Sequence, residues 1–186
     1  MDAMKLLLER ASAVKVTEPG PSSEEIDTIL RTALRAPDHG RLRPWRFIVI
    51  EGEQRERFGE LMAECLRARE PNAAPEAIAR EKQKALRAPL ILVVATSVKP
   101  SEKIPEVEQI VSAGAAAEHI MLAVQALGYG AMWRTGAIAY DARMKAGLGL
   151  KANDAIVGFI YVGKPAAPPA ETPRPQLNDF VTRWNG

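Results

Sequence analysis

Arg10-Ala11-Ser12 sets a guanidinium and a hydroxyl two positions apart at the end of a short helical pattern. Those are the donors a phosphate dianion takes, although a solvated helix end also fits the same residues. A second grouping runs from Arg35-Ala36-Pro37-Asp38-His39 through Arg41 and Arg43 to Pro44-Trp45 and crowds polar groups between two prolines. It fits either a ligand-facing loop or a structural turn. The third, Gly128-Tyr129-Gly130-Ala131-Met132-Trp133-Arg134-Thr135-Gly136, combines glycines that permit close backbone approach with a Trp and an Arg.

Other chemistries lack their residues. No Gly-x-Gly-x-x-Gly, Walker-type, Gly-x-Ser-x-Gly or His-Glu-x-x-His pattern occurs. His39 and His119 are the only histidines and Cys65 the only cysteine, so no metal-ligand cluster and no internal disulfide is expected. Cys65 falls on the inward side of an amphipathic pattern and reads as a small buried hydrophobe.

The elements that must position these groups follow from periodicity. Residues 3–11 read as a short helix with Leu6, Leu7 and Arg10 separating a buried from a polar side. Ser22-Ser23-Glu24-Glu25 forms a capping box ahead of Ile26, Ile29, Leu30, Ala33 and Leu34, a helix that ends by Pro37. Strands are predicted at 45–50, 90–95, 131–135 and 155–162, and helices at 54–68, 75–86, 106–127 and near 141–146. The run Leu90 to Ala95 is apolar throughout, the pattern of a strand covered on both faces. Ala113 to Ala117 would let a helix, a second copy of the chain or a cofactor ring come close, and Gly128 is placed to cap that helix. From Pro165 to Pro175 the chain is proline-rich and reads as an extended arm that carries Phe180, Val181 and Trp184 to some surface.

With 186 residues, 47% hydrophobic, the chain suits one domain spanning 1–186, its arm at 164–186. Lys plus Arg number 25 against 23 Asp plus Glu, interleaved throughout, so a net charge of +2 gives no field suited to nucleic acid. No apolar run approaches the ~20 residues of a membrane helix, and no export signal is visible. A cytoplasmic location without a membrane partner is expected.

The three groupings, in this order and spacing, resemble the FMN-dependent nitroreductase family, in its short, YdjA-like branch. The likeness extends through Pro44-Trp45-x-Phe47, Arg87-Ala88-Pro89, Ser112-Ala113-Gly114, Trp133-Arg134-x-Gly136 and Ile156-Val157-Gly158-Phe159-x-Tyr161-x-Gly163. It implies an α+β fold with a mixed, largely antiparallel sheet flanked by helices, built as an intertwined homodimer that exchanges C-terminal arms. It implies FMN as cofactor, with Arg10, Ala11 and Ser12 on its phosphate and ribityl chain, and Arg35 and His39 reaching the flavin, His39 from the opposite subunit. Trp133, Arg134 and Thr135 would run along the ring. The implied activity is ping-pong transfer from NADH or NADPH to a nitroaromatic, quinone or similar small acceptor, with chemistry on FMN and no side-chain acid or base required. A flavin carrier without turnover, or an interaction protein that has lost the cofactor, are the rival readings. Three departures stand out: Ala11 replaces a second arginine, Lys15 stands where relatives often have Arg, and Arg41 and Arg43 replace Asn and Gln.

Overall fold

The structure, a computed structural model, describes residues 2–168 and 173–186. Its centre is β3 (Leu90–Thr96), in which every residue is buried. Side chains alternate across a strand, so Ile91 and Val93 enter one core while Leu90, Leu92 and Val94 enter the other. β3 lies between β2 (Trp45–Glu51) and β5 (Ala155–Pro165), antiparallel to both. β4 (Gly130–Arg134) pairs with the outer side of β5, and β1 (Val16–Thr17) pairs with its last residues. All pairings among the described residues are antiparallel, in keeping with the largely antiparallel sheet the resemblance implied.

One face is covered by α3 (Gln54–Arg69), which buries Phe58, Met62, Cys65 and Leu66 as its spacing predicted; Leu61 is only half-buried. α4 (Pro75–Gln83) follows, and its final turn tightens into a 3-10 turn over Lys84–Leu86. The other face is covered by α2 (Ser23–Ala33) and α5 (Glu106–Ala126). The Ser22 capping box forms reciprocally: the Glu25 backbone donates to the Ser22 hydroxyl and the Ser22 backbone to the Glu25 carboxylate. Gly128, at φ 78, ends α5 as the glycine cap requires. Ala113, Ala116 and Ala117 are fully buried beside Ile29 and Ala33 of α2, while Gly114 and Ala115 are half-buried.

Two expectations change. The helix predicted at 3–11 is shorter, α1 (Ala3–Glu9), and buries none of its residues: Met4, Leu7 and Leu8 are exposed. The last strand continues to Pro165 instead of ending at 162, and Pro165 pairs with Val16. Proline lacks only its donor, and at the end of an edge pairing that loss is tolerated. Beyond it, Phe180 (75% exposed) and Trp184 (89% exposed) find little cover among the described residues. Residues 169–172 of the predicted arm lie outside the described residues.

Candidate functional site

After α1 the chain turns at Arg10, whose ψ of 127° leaves the helical region. The Ala13 backbone then donates to the Ala131 carbonyl at 2.9 Å, fastening the Arg10–Ser12 segment beside β4. Ala11 donates its backbone N–H to Gln125 Oε1 on α5 at 3.3 Å. Arg10 Nε lies 3.2 Å from Glu118 Oε1, a partly exposed pair of the kind worth little in stability. Ser12 is exposed. A cation and a hydroxyl therefore stand together at the edge of the strand that leads into Trp133–Thr135.

Trp133 lies on the α2–α5 face of the sheet, where its indole donates to the Val157 carbonyl at 3.2 Å over Gly158. Only glycine fits at 158, because a Cβ there would come within 2.1 Å of the Trp133 nitrogen. Arg134 faces the other way, its guanidinium 5.9 Å from the centre of the Tyr161 ring. Thr135 and Gly136, the latter at φ 102, turn the chain away from the sheet. Together these residues wall a cavity of about 490 Å³ that also takes in Arg87, Phe159 and Tyr161. Burial pushes the Tyr161 phenol up to about 12, partly offset by Arg134 and Arg87.

Arg35 and His39 belong to a different place. Arg35 is exposed just past α2, and His39 opens a 3-10 turn, His39–Arg41. His39 Nδ1 is 2.6 Å from Glu108 Oε2; a carboxylate only accepts, so the imidazole donates. Ser112 ties this loop to α5: the Trp45 indole donates to its hydroxyl at 2.9 Å and the hydroxyl donates to the Pro37 carbonyl at 2.6 Å. Gly40, Arg41 and Arg43 all hold positive φ, a conformation costly for arginine that collects at functional sites. His39 contacts α5 at Glu108 and Arg10 contacts it at Glu118, a separation of about 15 Å at the rise of an α-helix. Within one chain the structure thus joins Arg10, Ala11 and Ser12 to Trp133, Arg134 and Thr135, and leaves Arg35 and His39 elsewhere.

Sequence reasoning gave no role to Arg87 or Tyr161. Tyr161 sits in an apolar strand and reads as core; its signal is a polar tip at an inward position diagonal to Arg134 across the β4–β5 ladder. Cys65 behaves as predicted: it is fully buried, and desolvation followed by the Asp141 carboxylate pushes its thiol up to about 11. No group of three His, Cys, Asp or Glu side chains among the described residues could hold a metal ion.

This sheet and its flanking helices are those of a known class: the family model described as Nitroreductase family matches residues 9–164, and the chain belongs to that family. It is 40% identical over 165 residues to YdjA of Escherichia coli (strain K12), a protein that carries a provisional NAD(P)H nitroreductase name; the match covers 89% of each chain. A nitroreductase-like protein from Bacillus cereus shares the fold with a TM-score of 0.86 at 20% identity, over 100% of this chain and 97% of that one. A nitroreductase-type protein from Desulfovibrio desulfuricans, solved in complex with FMN, does so with a TM-score of 0.76 at 23% identity, over 99% and 98%.

Proposed function

We propose that this nitroreductase-family oxidoreductase holds FMN between Arg10–Ser12 and the Trp133–Thr135 segment and passes electrons from NADH or NADPH to a nitroaromatic, quinone or similar small acceptor. The observation that carries this reading is the hydrogen bond from Ala13 to Ala131, which fastens the chain just after Arg10 and Ser12 to the strand that runs into Trp133–Thr135. The donor set suits the cofactor: Arg10 is held only by a weak surface pair and can turn to a phosphate, and Ser12 is open to solvent. When bound, FMN supplies hydride acceptance from the nicotinamide and delivery to the acceptor in alternating half-reactions.

The chain's own residues bind and orient. Arg10 and Ser12 hold the phosphate and ribityl chain, with the Ala11 backbone anchored on Gln125. Trp133, Arg134 and Thr135 border the ring. Arg35 and His39 reach the flavin, His39 from the second subunit of a homodimer, since on its own chain it stands nearly three helical turns from Arg10 along α5. The uncovered apolar residues of α1 and of the C-terminal arm support that assembly. We read the chain as one FMN-binding domain acting in the cytoplasm.

Anaerobic titration tests the reading. The protein loaded with FMN should bleach on addition of NADH or NADPH and recover its colour with a nitroaromatic or a quinone. A bound flavin that neither nucleotide bleaches identifies a carrier and overturns the enzymatic reading.

A further inference from the structure

The cavity beside Trp133–Thr135 is lined by four cationic side chains, Arg69, Lys84, Arg87 and Arg134, against one carboxylate, Glu81. Two of the cations have partners. Lys84 is paired with Glu81, and Arg69 lies 3.8 Å from both Glu70 and Asp141. Arg87 and Arg134 have neither a carboxylate within 4.0 Å nor a side-chain hydrogen bond among the described residues. Both line the cavity with Tyr161, which is only 4% exposed and whose hydroxyl has no hydrogen-bond partner among the described residues. Cations beside a cavity wall with no counter-charge favour an anionic occupant, because planar guanidinium groups match carboxylate and phosphate oxygens.

The rest of the wall is apolar and aromatic. Met62, Ile138 and Phe159 line it, and a volume of about 490 Å³ lies in the range of small-molecule sites. A flat ring would find cover on these side chains while its charged substituent reached the two arginines. We infer that the cavity binds a small aromatic acid, its carboxylate or phosphate held between Arg87 and Arg134 with the Tyr161 hydroxyl donating. The inference rests on the proposed flavin site, with which it shares the Trp133–Thr135 wall, and it names the charge class of the acceptor.

Equilibrium dialysis of the FMN-loaded protein tests it with para-nitrobenzoate, para-nitrophenyl phosphate and uncharged nitrobenzene. At least one acid should bind about tenfold or more tighter than nitrobenzene, the effect of one charge-assisted hydrogen bond. Which acid binds better tells a carboxylate ligand from a phosphate one. Arg87→Gln should erase most of that preference while the flavin absorbance stays, and Arg87→Lys should restore part of it. Inorganic phosphate added to the unaltered protein should compete with the acids and not with nitrobenzene, a result independent of any variant. Equal binding of charged and neutral probes, or a preference that survives both Arg87→Gln and inorganic phosphate, overturns the inference. A protein that takes up no FMN refutes the flavin reading instead, and the same dialysis on that protein still reports on the cavity.

Discussion

β3 and the chain's periphery obey opposite rules. β3 is covered on both faces, and from Ile91 to Ala95 none of its surface reaches solvent; it carries no group proposed to act on a ligand. The periphery holds the residues proposed to bind the flavin and also leaves Leu7, Leu8, Val111, Tyr140, Phe180 and Trp184 exposed. A centre that closes on itself needs nothing further, whereas a rim that leaves apolar side chains uncovered is where the proposed second copy would pack. Stability and the proposed flavin contacts therefore lie in different parts of the molecule and can be attacked separately.

The largest effect belongs to the centre. Leu92→Ala should lower the free energy of unfolding by about 2–5 kcal/mol in urea titrations, because it leaves a void in a fully buried layer. Arg10→Ala should do the reverse: its partly exposed ion pair is worth about 0–1 kcal/mol to folding. Loss of a charged contact to phosphate should weaken FMN about ten- to hundredfold in fluorescence titration. If Arg10→Ala retained FMN like the parent, the residue would revert to a plain helix end.

At neutral pH the buried layer adds nothing to that contrast, and its pH dependence appears only in alkali. Cys65 rises from an ordinary 9.0 to about 11 and Tyr161 from 10.0 to about 12, both chiefly through burial. Above pH 9 the unfolded chain gives up these protons before the folded one does, so stability is complete below about pH 9 and is lost progressively up to about pH 12. The slope should not exceed about 1.4 kcal/mol per pH unit per group. Tyr161→Phe should flatten the upper part of that decline and Cys65→Ala the lower part. Equal slopes in the parent and both variants would mean that neither group titrates as its burial requires.

The sequence made the closed centre easier to read than the rim. Leu90 to Ala95 announced its two-sided burial by apolar content, and Ser22 with Glu25 and Gly128 announced helix ends by local chemistry. β1 is two residues long and exists because Lys164 and Pro165 pass alongside it, a relation no local pattern carries. Leu6 and Leu7 of α1 read as a buried side, yet Leu6 is only half-buried and Leu7 is exposed. Arg10 and Ser12 were visible as donors because their types suffice to suggest an anion. The cationic pair Arg87 and Arg134 was not, because it forms only when the end of α4's final turn meets the β4–β5 ladder over Tyr161.

The claim that the rim is completed by a second copy, with flavin between the two, is tested most directly by sedimentation followed at the flavin absorbance band. The account predicts a single coloured species of twice the 20.3 kDa chain mass carrying two flavins, and loss of both dimer and flavin together when residues 176–186 are deleted. A coloured monomer with full flavin occupancy would contradict the shared site and the proposed reach of His39 to the opposite subunit.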